Sequence, residues 1–316
     1  MLEVLAPAAA TAAHRADRQH VAEPQPRREI VHGARSSKRR ATLAAMLETL
    51  VDRAEGKPLP LNDDLRERYG GPLPFPETDR PYVYANFVST IDGVVSYAIP
   101  GRAGAALISE RFEDDRFMLG LLRACADVVI VGAGTLREEG KRQWTAEYVY
   151  PPGAAGFAAL RAALRKPLHP LVVFVTESGN VDLGLPAFRS GGGVVIVTGE
   201  AGARRIGRLP ENVRVHAIPG DERPSARAIV DAAVAESGGR AVLTEGGPLV
   251  LGEFLRAGVV DELFLTVAPR LAGRSAEERR VALVEGSAFL PEDAPRGRLL
   301  SLKCAGDYLF TRYAFR

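Results

Sequence analysis

The chain has 316 residues, of which 46% are hydrophobic and 25% are charged, and its formal net charge is +2. This composition is ordinary for a soluble globular protein, and the small net charge disfavours nucleic-acid binding by the chain as a whole. Two cysteines are too few for a disulfide framework or a cysteine-based zinc site, and no apolar stretch is as long as a membrane span. We therefore expect a cytoplasmic protein without a metal site, a nucleic-acid partner or a membrane contact.

The first 80 residues are predicted to form a tail and a connector. Residues 1–40 carry eight Lys/Arg against four Asp/Glu, show no hydrophobic periodicity, and predict a disordered basic tail. A solvated tail is the favoured interpretation, and contact of its basic cluster with an anionic surface is the alternative. Apolar residues at helical spacing in 41–55 predict an amphipathic helix, and the Pro/Gly-rich stretch that follows predicts a connector over the surface of the next domain.

From Tyr82 onward, apolar runs alternate with helical patterns, which predicts a mixed-sheet α/β domain over residues 81–316. The short β-branched runs are typical of buried parallel strands, and the alternating end of the chain is typical of antiparallel strands. Ser109 is the expected N-cap of the first long helix. The predicted elements are strands at 82–88, 94–97, 128–131, 171–175, 194–197, 299–302 and 308–315, and helices at 109–124 and 225–236.

Residues 240–265 contain the most informative pattern, because an apolar run, a glycine turn, a helical pattern and a second apolar run follow one another. Gly246 and Gly247 allow a ligand to approach the backbone closely, and Pro248 suits the first position of a helix. The free N–H groups at a helix start bind anions. Glu245 ends the strand, where open α/β sheets place their ligands. The segment predicts a phosphate-bearing ligand with a carboxylate beside it.

A second glycine turn follows the apolar run at 128–131. Gly132 and Gly134 do not complete a dinucleotide fingerprint, since the next expected glycine is Arg137, and no Gly-Lys-Ser/Thr follows. A tight turn without a ligand is an equally good interpretation of this turn alone. Taken together, the two turns predict one diphosphate bridging two neighbouring strand ends.

Other polar residues have both a structural and a functional interpretation. Asp92 lies in Ser-Thr-Ile-Asp-Gly, where it either bonds its own turn or faces the N–H groups of a ligand. Asn86 lies mid-strand, where it either faces a cleft or pairs with backbone at a sheet edge. The five histidines lack metal-binding spacing, no His-x-Glu begins a zinc-deaminase motif, and no serine-nucleophile elbow occurs.

Three motifs together resemble the pyrimidine reductase of riboflavin biosynthesis, the reductase half of the bifunctional deaminase–reductase. They lie at 89–93, at 126–137 and at 245–263. The resemblance implies a dihydrofolate-reductase-like fold, with a mixed, mostly parallel sheet flanked by helices and antiparallel C-terminal strands. It also implies a homodimer that uses NADPH to reduce a 5-amino-6-(5-phosphoribosylamino)uracil at its ribosyl group, by hydride delivery to C1′ of the ring-opened imine.

The resemblance further implies roles for individual residues. Asp92 and Glu245 match the acids that face the pyrimidine, and Asn86 and Ser89 match positions that line the same cleft. We expect no obligate strong acid, with water or Asp92 managing the proton. The positions that match cofactor contacts are Ser109, Asp115, Gly132, Gly134, Thr135, Gly246, Gly247, Pro248 and Leu249. Polar residues that follow two predicted strands are candidates for binding the 2′-phosphate of NADPH, although each could equally be an ordinary loop residue. They are Thr176, Ser178, Thr198 and Arg204.

The sequence departs from the family pattern in ways that bear on the substrate. The first 80 residues lie outside the resemblance and contain no deaminase half, and the segments 101–109 and 136–144 differ from the family's motifs. Segment 101–109 corresponds to a region that helps hold the ribose phosphate, so Arg102, Arg111 and Arg116 are alternative candidates for that contact. A same-fold reductase of a pterin or another heterocycle, and a non-catalytic nucleotide-binding protein, are the alternative functions.

Overall fold

The structure is a computed structural model that describes residues 46–99, 104–189, 191–220 and 223–316. These residues all belong to one compact unit, Leu43–Arg316. The predicted tail at 1–40 and Arg102 lie outside the described residues. None of the helices in the described part of the chain is long and apolar enough to cross a membrane.

Most strands coincide with the apolar runs of the sequence. The strands of the described residues are β1 (Glu48–Asp52), β2 (Lys57–Pro58), β3 (Pro74–Phe75), β4 (Tyr82–Thr90), β5 (Val94–Ser96), β6 (Val128–Gly132), β7 (Leu171–Val175), β8 (Val194–Gly199), β9 (Val213–Ile218), β10 (Ala241–Thr244), β11 (Glu262–Ala268), β12 (Val281–Ala282), β13 (Arg298–Ala305) and β14 (Tyr308–Ala314).

Helices connect most of the parallel strands. Those of the described residues are α1 (Asp63–Tyr69), α2 (Ala105–Ile108), α3 (Glu113–Cys125), α4 (Ala133–Glu139), α5 (Ala146–Val149), α6 (Ala154–Ala163), α7 (Glu200–Ala203), α8 (Ala226–Ser237) and α9 (Pro248–Arg256), with short 3-10 turns at Pro151–Gly153 and Pro186–Arg189.

Ten strands form one sheet in the order β1-β13-β14-β11-β4-β10-β6-β7-β8-β9. From β11 to β9 every neighbouring pair is parallel, and from β1 to β11 every pair is antiparallel. The predicted mixed, mostly parallel sheet with antiparallel C-terminal strands is therefore confirmed. Two small antiparallel pairs, β12 with β5 and β2 with β3, lie outside the main sheet.

Helices cover both faces of the sheet, because successive strand side chains point to opposite sides. Val129 and Val131 of β6 belong to the core on the face that also holds Phe117 of α3. Val128 and Ile130 belong to the core on the other face, with residues of α8 and α9. Burial on both faces explains why the parallel strands are continuous apolar runs rather than alternating ones.

The helix predicted over 41–55 is wrong for its described part, because residues 48–52 form the strand β1. β1 pairs antiparallel with β13 at one edge of the sheet, and Thr49 donates a hydrogen bond to the carbonyl of Gly70 at 2.7 Å. A short isolated helix is marginally stable in water, whereas sheet pairing satisfies the backbone groups of the segment directly.

The connector predicted over the surface is also wrong in part, since it contains a packed helix. Asn62 caps α1 by accepting a hydrogen bond from the N–H of Leu65 at 3.0 Å, and Gly70 closes the helix in the left-handed conformation. Leu65 and Tyr69, one turn apart, are buried in the core. The proline and glycine content therefore obscured a short helix with normal start and stop signals.

The helix predicted to begin at Ser109 begins at Glu113, so the N-cap assignment is wrong. Ser109 instead closes α2, and Phe112 is the N-cap residue of α3. The acids Glu113, Asp114 and Asp115 occupy the first turn of α3, where they favour the positive end of the helix.

Candidate active site

A cleft of about 430 Å³ lies beside the ends of β6 and β10. Its walls come from β4, from α3, from the turns that follow β6 and β10, and from the segment after α4. Among the described residues that line it are Asn86, Ser109, Arg111, Asp115, Arg116, Arg123, Thr135, Glu138, Glu139, Arg142, Trp144, Glu245, Gly247 and Pro248.

The two glycine turns touch each other at one side of this cleft. Because β6 and β10 are parallel neighbours, their turns emerge side by side. The N–H of Gly132 donates to the carbonyl oxygen of Gly246 at 3.2 Å, and a Cβ added to Gly132 would lie 2.4 Å from that oxygen. A Cβ on Gly247 would lie 2.6 Å from Oγ1 of Thr135, so both positions require glycine for close approach.

The helix α9 begins at this contact and directs backbone N–H groups toward it. Gly247 is its N-cap residue with φ of +83°, a conformation that favours glycine, and Pro248 follows as the first helical residue. No side chain caps the described helix start. The N–H groups of the first turn can therefore bind an anion, and the paired turns form a cradle of backbone for a phosphate group.

Glu245 is held at the strand end by a bidentate ion pair with Arg123 of α3. Nε of Arg123 lies 2.8 Å from Oε1 of Glu245, and Nη2 lies 2.7 Å from Oε2. The two side chains are only 6% and 10% exposed. Arg123 also donates to the carbonyls of Gln143 and Thr145, each at 3.3 Å, so one guanidinium connects three walls of the cleft.

Asp115 presents a different kind of carboxyl group to the same cleft. Its side chain is buried in the first turn of α3 and receives hydrogen bonds from Ser109 and Thr266. Burial raises the pKa of Asp115 above its ordinary value, and the two hydrogen bonds offset only part of that effect. The cleft therefore combines a charge-paired carboxylate at one side with a buried, unpaired carboxyl group at another.

Besides Arg123, three arginines of the described residues bring positive charge to the cleft. Nε of Arg116 donates to the carbonyl of Val149 at 2.8 Å, and Arg142 lies 3.6 Å from Glu139. Arg111 is exposed and adopts a left-handed backbone with φ of +58°. These cations can bind the phosphate of a ligand, and the neighbouring Glu138 has a pKa raised by burial and by the charge of Glu139.

Comparison with known families agrees with this geometry. The RibD C-terminal domain family matches residues 81–305, which is more than half of the chain. The chain belongs to this family. No curated protein sequence matches the chain significantly.

Solved structures of RibD and related reductases share the fold. A diaminohydroxyphosphoribosylaminopyrimidine deaminase/5-amino-6-(5-phosphoribosylamino)uracil reductase from Thermotoga maritima has a TM-score of 0.55 and 18% identity, covering 75% of this chain and 57% of that one. A pyrimidine reductase-like protein from Corynebacterium diphtheriae has a TM-score of 0.55 and 22% identity, with coverages of 75% and 92%. RibD from Acinetobacter baumannii has a TM-score of 0.53 and 19% identity, with coverages of 75% and 58%. The chain thus spans little more than half the length of two of these proteins.

The RibD-family fold brings together about half of the residues that the sequence predicted for the site. Gly132 and Gly246 form the backbone contact behind the cleft. Among the described residues, those predicted for the site that line the cleft are Asn86, Ser109, Asp115, Thr135, Glu245, Gly247 and Pro248, and those that do not are Ser89, Asp92, Gly134, Thr176, Thr198 and Leu249.

Asp92, predicted to be catalytic, is not among the described residues that line the cleft. Its Oδ1 accepts from Oγ1 of Thr90 at 2.5 Å and from the N–H of Ala272 at 3.1 Å, and Oδ2 accepts from the N–H of Gly273 at 2.8 Å. These hydrogen bonds, led by that from Thr90, lower the pKa of Asp92 to about 2. The carboxylate joins two turns, so the structural interpretation of this motif is the one that the geometry supports.

The other predicted residues outside the cleft have physical reasons for their positions. Ser89 lies an odd number of residues after Asn86 on β4 and so faces the opposite side of the sheet. Thr176 is buried and accepts from the N–H of Gly179 at 3.2 Å, while Thr198 is fully buried against Gly202. Both hydroxyls are therefore buried in local contacts, and the phosphate role predicted for them stays a prediction.

Gly134 and Leu249 contribute no side chain to the cleft. Gly134 lies exposed in the first turn of α4, and the side chain of Leu249 is 55% exposed at the start of α9. Any contact from either residue to a cofactor would come through its backbone.

Arg123 and Thr266 are among the site residues that sequence reasoning did not select. Arg123 lies near the end of an amphipathic helix pattern, where arginine normally indicates a solvated face or a favourable helix end. Its partner Glu245 is 122 residues away, and Thr266 lies on a strand on the far side of β4 from β10. A buried arginine within an otherwise apolar stretch, Leu121 to Ala126, is the one local signal that could have identified it.

Proposed function

We propose that the protein is an NADPH-dependent reductase of a phosphorylated ribosylaminopyrimidine, of the 5-amino-6-(5-phosphoribosylamino)uracil type used in riboflavin biosynthesis. The observation that carries this proposal is the backbone contact between Gly132 and Gly246 beside a cleft that ends in the Arg123–Glu245 pair. Membership in the RibD C-terminal domain family supports it. The names of the solved relatives attribute such reductase activity to those proteins.

The residues present fit a dinucleotide cofactor. Gly132, Gly246 and Gly247 let the turns after β6 and β10 pack directly against each other, since a Cβ at each position would lie 2.4–2.6 Å from another protein atom. The first turn of α9, which no side chain caps, adds free N–H groups beside this contact. Thr135 and Pro248 complete this wall of the cleft. When bound, NADPH supplies the hydride, while the protein supplies orientation and electrostatics.

Preference for NADPH over NADH requires a partner for the 2′-phosphate. The hydroxyls of Thr176 and Thr198 are buried, whereas exposed groups follow the same two strands. Nη1 of Arg205, after α7, lies 3.4 Å from the carbonyl of Ser178, after β7. We propose that Arg205 and the Ser178 hydroxyl bind the 2′-phosphate, because a guanidinium and a hydroxyl match its charge and acceptors.

The opposite walls of the cleft suit a phosphorylated pyrimidine. The carboxylate of Glu245, fixed by Arg123, can accept hydrogen bonds from the N–H groups of the base, and Asn86 can offer both a donor and an acceptor. Arg111 and Arg116 are the proposed partners of the ribose phosphate, since both line the cleft.

The decisive experiment combines cofactor binding with turnover. Trp144, the only tryptophan, is buried and lines the cleft, so its fluorescence reports on cofactor binding. We expect saturable quenching by NADPH at micromolar concentration, weaker quenching by NADH, and NADPH oxidation with the ribosylaminopyrimidine, followed at the nicotinamide absorbance. Saturation with NADPH at about 100 Kd should stabilise the fold by about 2.7 kcal/mol.

Each other outcome assigns a different function. Turnover of dihydrofolate at a comparable rate would assign a pterin or another heterocycle to the same cleft. NADPH binding without turnover of either substrate would indicate a non-catalytic nucleotide-binding protein. If neither cofactor quenches Trp144 or raises the melting temperature, the reductase proposal is wrong.

We also propose that the enzyme works in the cytoplasm as a homodimer. Support comes from β1, which forms one edge of the ten-stranded sheet and leaves Leu50 49% exposed. An unpaired strand edge offers backbone groups to a second copy. Light scattering of the purified protein measures the mass directly, and a monomeric mass would contradict the proposal.

A further inference from the structure

The cleft contains a buried carboxyl group that matches a cofactor contact of the family but to which the proposed function gives no chemical step. Asp115 lies in the first turn of α3, is 9% exposed, and lines the cleft. Ser109, at the end of α2, and Thr266, on β11, both hydrogen-bond to its carboxyl group. Three separate elements thus converge to hold one acid at the cleft wall, although its surroundings are costly for a charge.

The groups around Asp115 do not neutralise it. Besides Ser109 and Thr266, Tyr308 of β14 lies close enough for their charges to interact, and Tyr308 donates a hydrogen bond to the carbonyl of Ser109 at 3.2 Å. Burial raises the pKa of Asp115, and the hydrogen bonds from Thr266 and Ser109 offset part of that effect. The charged groups that line the rest of the cleft are Arg111, Arg116, Glu138, Glu139, Arg142, and Arg123 with its partner Glu245.

We propose that Asp115 is the proton donor of the reduction, an inference that rests on the proposed function. Bound NADPH would supply a hydride to the carbon of the substrate C=N bond and become NADP⁺, and the Asp115 carboxyl group would give its proton to the nitrogen. The substrate would thus gain one hydride and one proton, and Asp115 would be left as a carboxylate that recovers its proton from solvent.

The other acids of the molecule are less suited to this step. Both oxygens of Glu245 are occupied by the guanidinium of Arg123, so it serves as a fixed acceptor. Asp92 has a pKa lowered to about 2 and does not line the described part of the cleft. Glu138 also has a pKa raised by burial, but it lies on the exposed side of α4 and no hydroxyl of the described residues orients its carboxyl group. Among the acids of the described residues that line the cleft, Asp115 is the one that combines burial with two orienting hydroxyls.

The test compares Asp115→Asn with the matched control Asp114→Asn. Asp114 is the preceding residue of the same helix, is buried, and has a pKa raised by burial, but it pairs with Nη2 of Arg68 at 2.9 Å instead of lining the cleft. We expect D115N to lower kcat by about 10²- to 10⁴-fold, with the Kd for NADPH from Trp144 quenching unchanged. We expect D114N to keep kcat and its pH profile and to lose stability, because Arg68 loses a partner.

A second readout follows the protonation of Asp115 without any substrate. Because its native pKa is above the unfolded value, the native state binds more protons, and the stability of the wild type falls as pH rises from about 4 through the native pKa. D115N lacks this group, so its stability relative to the wild type should rise over the same range. In the wild type, kcat should also fall as pH rises through the pKa of the bound enzyme, and this decline should be absent from D115N.

The outcomes separate this proposal from the proposed function. If the wild type reduces the pyrimidine and D115N does so equally well, or with the same pH profile, Asp115 is not the donor. If D115N is destabilised as D114N is, and loses cofactor binding with activity, its role is structural and the proposal is overturned. If the wild type itself does not oxidise NADPH with the pyrimidine, the proposed function fails, and this role fails with it whatever the stability measurement shows.

Discussion

The parallel and antiparallel halves of the sheet use polar groups in opposite ways. In the parallel half, the proposed phosphate cradle is formed by backbone, where the turns after β6 and β10 meet at the Gly132–Gly246 contact. In the antiparallel half, β13 and β14 bury the cations Lys303 and Arg312, each only 1% exposed. The first arrangement depends on a few residues adjacent in sequence, whereas the second depends on partners that only the complete fold brings together.

Each buried cation joins the N-terminal segment to the end of the chain. Nε of Arg312 lies 2.5 Å from Oε2 of Glu262, and its Nη2 donates to the carbonyl of Pro74 at 2.8 Å. Nζ of Lys303 donates to Oγ1 of Thr49 at 2.6 Å and lies 4.4 Å from the ring centroid of Tyr69. These contacts explain why residues 46–80 are part of the compact unit rather than a separate connector.

The largest effect should come from breaking the Arg312–Glu262 pair. We expect Arg312→Met to lower the free energy of unfolding by about 3–5 kcal/mol, because it leaves the Glu262 carboxylate, itself 8% exposed, without its partner. Urea denaturation of the variant measures this loss. Because both residues lie on the side of β4 away from β10, NADPH affinity of the folded fraction should stay the same.

The double variant R312M/E262Q is the control for this experiment. Removing the acid's charge as well should recover at least half of the lost stability, since the uncompensated buried charge is the main cost. A single variant that loses less than about 1 kcal/mol would show that the pair is solvated in solution, and that the two halves of the sheet differ less than the structure indicates.

Two alanine substitutions test whether the parallel half binds a cofactor through its backbone. Gly132→Ala places a Cβ 2.4 Å from the backbone oxygen of Gly246, so the turns must separate. We expect a loss of about 1–3 kcal/mol in stability and at least a tenfold weaker binding of NADPH. Trp144 quenching gives the affinity, and denaturation gives the stability.

Gly134→Ala is the matched partner of that substitution. Its Cβ meets only Nη2 of Arg137, at 4.0 Å, among the atoms of the described residues. Because alanine is the better helix former, the free protein should be equally stable or more stable by about 0.5–1 kcal/mol. We expect NADPH to bind about tenfold more weakly if its phosphate approaches the start of α4. If both variants bind NADPH with unchanged affinity, the cofactor does not bind at this cradle.

The contrast between the halves also explains which features the sequence could predict. The strands β6 and β10, the glycines that follow them and Pro248 at the start of α9 are local signals, because a turn and a helix start depend on a few consecutive residues. The predicted neighbourhood of the two turns is confirmed, since β6 and β10 pair in parallel. Local patterns therefore located one wall of the cleft.

The remaining walls depend on contacts between distant residues. Arg123 and Glu245 are 122 positions apart, and the hydrogen bond from Thr266 to Asp115 joins the first turn of α3 to a strand formed much later in the chain. The local pattern predicts a helix where the structure has the strand β1. The strand forms because its pairing with β13 contributes more than the helix propensity of a short segment. No periodicity within 41–55 contains the information about that partner.

The smallest effect should come from Asp92, which the motif Ser-Thr-Ile-Asp-Gly predicted to be catalytic. Asp92→Asn keeps one oxygen but loses the acceptor for the N–H of Gly273, so we expect a loss of about 1 kcal/mol at neutral pH. The native pKa of about 2 lies below the ordinary value of 3.8, so this carboxylate stabilises the protein above pH 4, and its contribution disappears as pH falls toward 2. Denaturation series at several pH values should show a smaller acid-dependent loss for D92N than for the wild type, with NADPH affinity and kcat unchanged. A fall in kcat of tenfold or more without a change in stability would show that Asp92 acts in the reaction. It would also mean that the turn containing Asp92 moves into the cleft when substrate binds.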